Sequence, residues 1–190
     1  MMRLNSFLLA VLIFCFSCNK KDIPNLDYAE EMRSFVINLS NYAKDNTPSF
    51  IVIPQNASPL IAKDEAVNAG IASAYVNAID GQGQEDLYYG YKKDDKASPD
   101  ESIEEKESFL DLGHNNCLKI LVTDYCYSPS NITDSYSKNE SKSYISFAAT
   151  ERELNVIPSN PIHHVNNTDV SNLSLAKNFL YLINPEGYES

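Results

Sequence analysis

Apolar positions along this chain come in two rhythms. In the stretch 27–46, Met32, Phe35, Val36, Leu39, Tyr42 and Ala43 recur at the three- and four-residue spacing of one helical face. Asp27 and Glu30 precede them at capping-box spacing, so the pattern predicts a helix with this face against a core. The second rhythm is a set of short apolar runs in 48–56, 118–123, 144–148 and 179–183. Their apolar residues do not alternate with polar ones, which suits parallel strands buried on both faces.

The segments between these runs read as helices and loops. Ser58-Pro59 is a helix start with proline at the first position, and 62–78 is alanine-rich and reads as mostly helical. The polar stretch 92–107 turns into a helix near Ser102, whose apolar face holds Ile103, Phe109 and Leu110. Residues 131–142 are polar with room for a short helix, and 158–174 is a long Pro/Asn/Ser loop. Strands alternating with helices and loops predict an α/β fold with a parallel sheet. The run 179–183 has no helix after it, so the pattern predicts an exposed edge there.

The first residues read differently. Arg3 is followed by an apolar run, 7–16, too short to span a bilayer as a stable helix. With Ser17 and Cys18 after it, the stretch 1–18 resembles a bacterial lipoprotein signal, in which Cys18 becomes the lipidated residue. Residues 19–26 then form a polar tether and 27–190 the folded part. The expected location is the bacterial cell envelope, at the outer membrane or surface, with a lipid anchor holding the protein to the membrane.

Composition narrows the function classes. A net charge of −11 argues against nucleic acid as a partner. Cys117 and Cys126 bracket an apolar strand run, so in an extended chain they stand roughly 30 Å apart, too far to bridge within one strand. Two buried free thiols are expected. His163 and His164 are adjacent and His114 is isolated, so no metal site is expected and no cofactor is implied.

The stretch "IDGQGQEDLYYGY", residues 79–91, carries the candidate chemistry. As a dinucleotide fingerprint it fails, because the third glycine position holds Asp86 and no helix follows. As a strand end it presents Glu85 and Asp86. Asp124 ends the "KILVTD" strand, and Gln55 and Asn56 end another with amides suited to hydroxyls. Tyr88 and Tyr125 can stack on sugar rings or hydrogen-bond to them. Each residue also has a plain structural role open to it. Glycosidases work with two carboxyl groups flanking the scissile bond, and the candidate catalytic pair is Glu85 and Asp124, with Gln55, Asn56, Asp86, Tyr88 and Tyr125 binding substrate.

The combination of "IPQN", "DGQGQEDLYY", "VTDYC" and "YISFAATERELN" resembles the glycoside hydrolase family of extracellular TIM barrels related to endo-α-1,4-polygalactosaminidases. The resemblance covers 27–190. It implies a (β/α)8 TIM barrel of which about five of the eight strands are present, circularly permuted so that the family's strands five to eight precede a run, "NFLYLIN", like its first strand. Further strands would lie beyond Ser190. It implies hydrolysis of a galactosamine-containing polysaccharide, with Glu85 as general acid or base. Gln84 and Ala57 depart from the residues usual there, and an acidic "YLDIID" motif is missing. Without that motif the 190-residue chain is expected to show no turnover. The alternatives are a non-catalytic carbohydrate-binding or envelope lipoprotein, and an inactive truncated half-barrel.

Overall fold

The computed structural model describes residues 26–159 and 163–183. The predicted leader, the lipidation site Cys18 and nearly all of the tether lie outside the described residues. The described chain builds one parallel sheet from β1 (Gly81–Glu85), β2 (Lys119–Tyr125) and β3 (Ile145–Ala149), in the order β1-β2-β3. Helices α1 (Tyr28–Asn46), α2 (Ser73–Ala78), α3 (Asp100–His114) and α4 (Pro129–Ser141) accompany it. Gly81 to Glu85 pair with Lys119 to Thr123, and Leu121 to Tyr125 pair with Ile145 to Ala149. All three strands therefore end on the same side of the sheet.

The α/β class matches the sequence reading, but the barrel does not. A barrel needs a ring of mutually paired strands, and three strands in a row leave two edges. Two of the five expected strands are lost. Residues 48–56 run beside β1 but contribute a single bridge, Gln55 to Gly83, and Pro54 has no N–H to give a ladder. Residues 179–183 form no strand; Phe179 and Tyr181 pack against the cluster of Tyr125, Phe147, Ala149 and Leu154, and the Ile183 N–H donates to the Leu154 carbonyl.

The glycines of β1 answer the question raised by "GQG". A Cβ on Gly81 would lie 2.7 Å from the Lys119 carbonyl oxygen, and one on Gly83 would lie 1.8 Å from Gln55 Oε1. They admit neighbours and do not cradle phosphate: β1 leads into a turn, and α3 starts only at Asp100.

Between the sheet and its helices lies an apolar core. Ile61, Leu87, Leu110, Ile120 and Val122 are essentially inaccessible, each worth about 1.5–3 kcal/mol of burial. Residues 62–78 are helical only from Ser73. Asp64, Glu65 and Gly70 take positive φ, which breaks the segment into short 3-10 turns. Cys126 is buried as expected, whereas Cys117 is exposed, in the left-handed turn after α3.

Helix α1 forms where predicted, with the Asp27 side chain accepting from the Glu30 N–H at 3.0 Å. Its buried face differs from the expected one. Arg33, Val36 and Ser40 are buried, while Met32, Phe35, Leu39 and Tyr42 are exposed. The polar pair is buried because its bonds are met. Arg33 donates to the Leu60 and Ala62 carbonyls at 2.9 and 2.6 Å, and Ser40 donates to the Ala78 carbonyl.

Candidate functional site

Ligands of open α/β sheets bind outside the carboxyl ends of the strands, and the candidate residues gather there. Glu85 is the last residue of β1 and Tyr125 the last of β2. The Tyr125 hydroxyl donates to Glu85 Oε1 at 2.6 Å, and Asn56 Nδ2 donates to Glu85 Oε2 at 2.5 Å. Asn56 Oδ1 in turn accepts from the Glu85 N–H at 2.8 Å and from Gln84 Nε2 at 3.3 Å. Asn56 reaches this position through a left-handed backbone, φ 58°, a conformation asparagine tolerates better than most residues. Gln55 is exposed, with its amide over Gly83. The Glu85 carboxylate is thus fixed from both sides by donors.

Around this centre lies a ring of charge. Arg152, just past β3, donates through Nη2 to Asp86 at 3.1 Å, Asp94 at 2.6 Å and the Gly90 carbonyl at 2.7 Å. Its guanidinium covers the Tyr125 ring at 3.9 Å, within cation–π range. Burial works against the Arg152 charge, and the bonds to Asp86 and Asp94 more than restore it, so its pKa is raised. Gly90, at φ 110°, is required here: a Cβ would lie 2.4 Å from Asp86 Oδ1 and 3.0 Å from Arg152 Nη2. Lys106, from α3, donates to the carbonyls of Glu85 and Asp86 at 3.1 and 2.9 Å. Burial draws its pKa down, against the pull of Asp86 and the other nearby acids. Burial, the Glu85 bond and the Glu85 charge all raise the Tyr125 phenol pKa, so it stays a donor. Tyr181 is raised by burial and then by Glu85, which sets it in the same electrostatic neighbourhood.

Two sequence candidates stand apart from this cluster. Asp124 is wholly buried. Its carboxyl accepts from the Tyr88 and Tyr89 N–H groups at 2.8 and 3.2 Å, the Ser135 hydroxyl at 2.7 Å and Asn139 Nδ2 at 3.4 Å. It ties the turn after β1 to α4 and has no route to a ligand at the surface. Strand alternation explains this, because Asp124 and its neighbour Tyr125 point to opposite faces of the sheet. Tyr88 is also buried, its hydroxyl donating to Glu107 at 2.7 Å, so its ring packs in the core and is not available for stacking on a sugar.

The structure therefore brings together Gln55, Asn56, Glu85, Asp86 and Tyr125, and leaves Asp124 and Tyr88 inside. Sequence reasoning missed Arg152, Lys106 and Tyr181. Arg152 lies within the quoted "YISFAATERELN" run, and a lone cation just past a strand end was the one available signal. Neither of two hollows in the surface, about 250 Å³ beside β3 and α4 and about 410 Å³ at the start of α1, is lined by Glu85. With Gln55 and Asn56 exposed and Glu85 and Asp86 half-buried, the cluster is an open shelf. Among the described residues no group of three His, Cys, Asp or Glu is placed to hold a metal ion, and no helix is long and apolar enough to cross a membrane.

No family model matches the chain. Over 135 residues, 66% of the chain, it is 30% identical to the uncharacterized protein MJ1477 of Methanocaldococcus jannaschii. The match spans 36% of that relative's length, so the chain corresponds to about a third of it.

Proposed function

We propose that the carboxyl end of the sheet binds a polysaccharide, with Glu85 contacting the sugar. The observation that carries this reading is the Glu85 carboxylate, oriented by Tyr125 and Asn56 at the mouth of an open shelf. Two donors fix it, and its remaining lone pairs are free to accept from sugar hydroxyls or an amine. The exposed Gln55 amide adds a donor and an acceptor beside it. A galactosamine-containing glycan is the substrate class, as the sequence resemblance implies. Its free amines are cationic, and a chain of net charge −11 attracts such a polymer. Lipidation at Cys18 would hold the shelf at the envelope surface.

Recognition without turnover is the form the geometry supports best. Hydrolysis needs a second free carboxyl group. Asp86 is tied to Arg152, and Asp124 is buried under four donors. Glycoside hydrolysis remains the second reading, favoured by an oriented carboxylate on a strand end. Calorimetry with oligomers of galactosamine and of a neutral hexose decides between them. Glu85→Gln should weaken galactosamine-oligomer binding by at least about tenfold and leave the circular dichroism spectrum unchanged. Equal affinity in both proteins would sink the reading. Release of reducing ends that Glu85→Gln abolishes would replace binding with hydrolysis.

A further inference from the structure

One face of α1 is apolar and turned away from the core. Tyr28, Met32, Phe35, Leu39 and Tyr42 are 75, 49, 61, 49 and 73% exposed. Their spacing alternates four, three, four, three, the 3.5-residue repeat of a helix that meets another helix along a seam. Phe50 and Ile51, just after the helix, are also exposed. Together these side chains leave on the order of 800 Å² open per copy, the most that docking can bury there, against about 800 Å² buried per partner in a standard stable interface.

We propose that this stripe joins two copies of the chain in a two-fold dimer, α1 against an antiparallel α1, with Phe35 at the axis. The stripe is complementary to itself in that arrangement. Reversed about Phe35, Tyr28 meets Tyr42 of the second copy, and Met32 meets its Leu39, large against large throughout, as an isologous contact requires. A membrane surface fits the stripe less well. Glu30, Glu31 and Asp45 flank it, whereas helices that lie on anionic lipid carry Lys and Arg beside their apolar face. Val36, Arg33 and Ser40 remain committed to the core, so docking does not require α1 to repack.

Sedimentation velocity on the full chain, with a cysteine cross-linking readout, tests the proposal. The wild type should sediment as a dimer at roughly 50 µM, a concentration in the range such interfaces hold. Phe35→Glu with Leu39→Glu should weaken association by about 100-fold, and added salt should tighten it by screening the two charges of −11. Under mild oxidation Phe35→Cys should give a covalent dimer beyond any formed by the native cysteines, and Tyr127→Cys on a distant exposed loop should not. Four results would each overturn the proposal. One is a monomer at every concentration. Another is association that survives both Glu substitutions and is lost when the apolar run 7–16 is made polar. The others are a Phe35→Cys bridge closing within one chain, and a monomer that binds phosphatidylcholine vesicles through this stripe.

Discussion

Removing the Asp124 carboxyl should unfold the protein before it disarms it. Asp124→Ala strands two buried backbone N–H groups, those of Tyr88 and Tyr89, together with the Ser135 hydroxyl, while Asn139 Nδ2 keeps the Ser135 carbonyl and the Ser146 hydroxyl. The hydroxyl can turn to another acceptor, whereas the backbone donors cannot move. Each unsatisfied buried donor costs about 1–3 kcal/mol, so a loss of about 4 kcal/mol is expected. For a chain of this size that lowers Tm by about 10 °C. Asp124→Asn behaves differently. Its Oδ1 still accepts from both N–H groups, and the Ser135 hydroxyl can turn to accept from the new NH₂. A cost of about 1 kcal/mol is expected. Burial, the largest influence, raises the Asp124 pKa from its ordinary 3.8 despite the bonds that oppose it. The folded state therefore holds the proton more tightly than the unfolded state. The stability this contributes is full below 3.8 and is lost as pH rises through the folded value. Wild type should accordingly lose stability relative to Asp124→Asn as pH climbs from acid toward neutrality. Urea unfolding followed by circular dichroism at several pH values measures both quantities. Wild-type stability in Asp124→Ala, combined with lost glycan affinity, would refute the structural role and return Asp124 to the site.

Three further expectations follow from the geometry. Tyr125→Phe removes the donor that orients Glu85 and should weaken glycan binding about five- to tenfold, read by the same calorimetry; unchanged affinity would mean that Glu85 orients itself. Gly81→Ala pushes a methyl against the Lys119 carbonyl in the paired strand and should cost about 2 kcal/mol, whereas Gly83→Ala displaces only the Gln55 side chain and should reduce affinity more than stability. Burial raises the Asp111 pKa, but the bonds from Lys142 at 2.8 Å and Tyr144 at 2.6 Å outweigh it, and the net shift is downward from 3.8. The stability it contributes is present above 3.8 and lost as pH falls through the folded value, so acid titration of Asp111→Asn should show a flatter loss of stability below pH 3.8 than wild type.

Of the three strands, β2 and β3 were legible from short, mainly apolar runs, 118–123 against the observed Lys119–Tyr125 and 144–148 against Ile145–Ala149, whereas β1, with the sequence GQGQE, carries no apolar run. Pairing was not legible. An apolar run such as 179–183 reads the same whether or not a neighbour stands ready to bond it, so counting runs gave too many strands; the barrel came from the family resemblance and not from the runs. The inverted face of α1 has a similar origin. Periodicity locates an apolar stripe, but the buried side is decided by where Arg33 and Ser40 find carbonyls, and those come from distant segments. Glu85, Asn56 and Tyr125 were found because strand ends carry their own local signature. Arg152 and Lys106 act through reach, from a loop and a helix far along the chain, and leave no local pattern.

The central place of β2 has a consequence for the order in which the chain acquires structure. β1 and β3 each form their ladder with β2 and not with one another. A chain leaving the ribosome from its amino end therefore presents β1 with no ladder partner until the residues up to Thr123 have emerged. Through all that time Gly81 to Glu85 have one backbone bridge, to Gln55, and side-chain bonds with Asn56 and Lys106 in place of a ladder. Synthesis thus passes through a long stage in which the glycine-rich segment has no ladder, and arrival of one strand completes the first ladder while offering the edge on which the last is built.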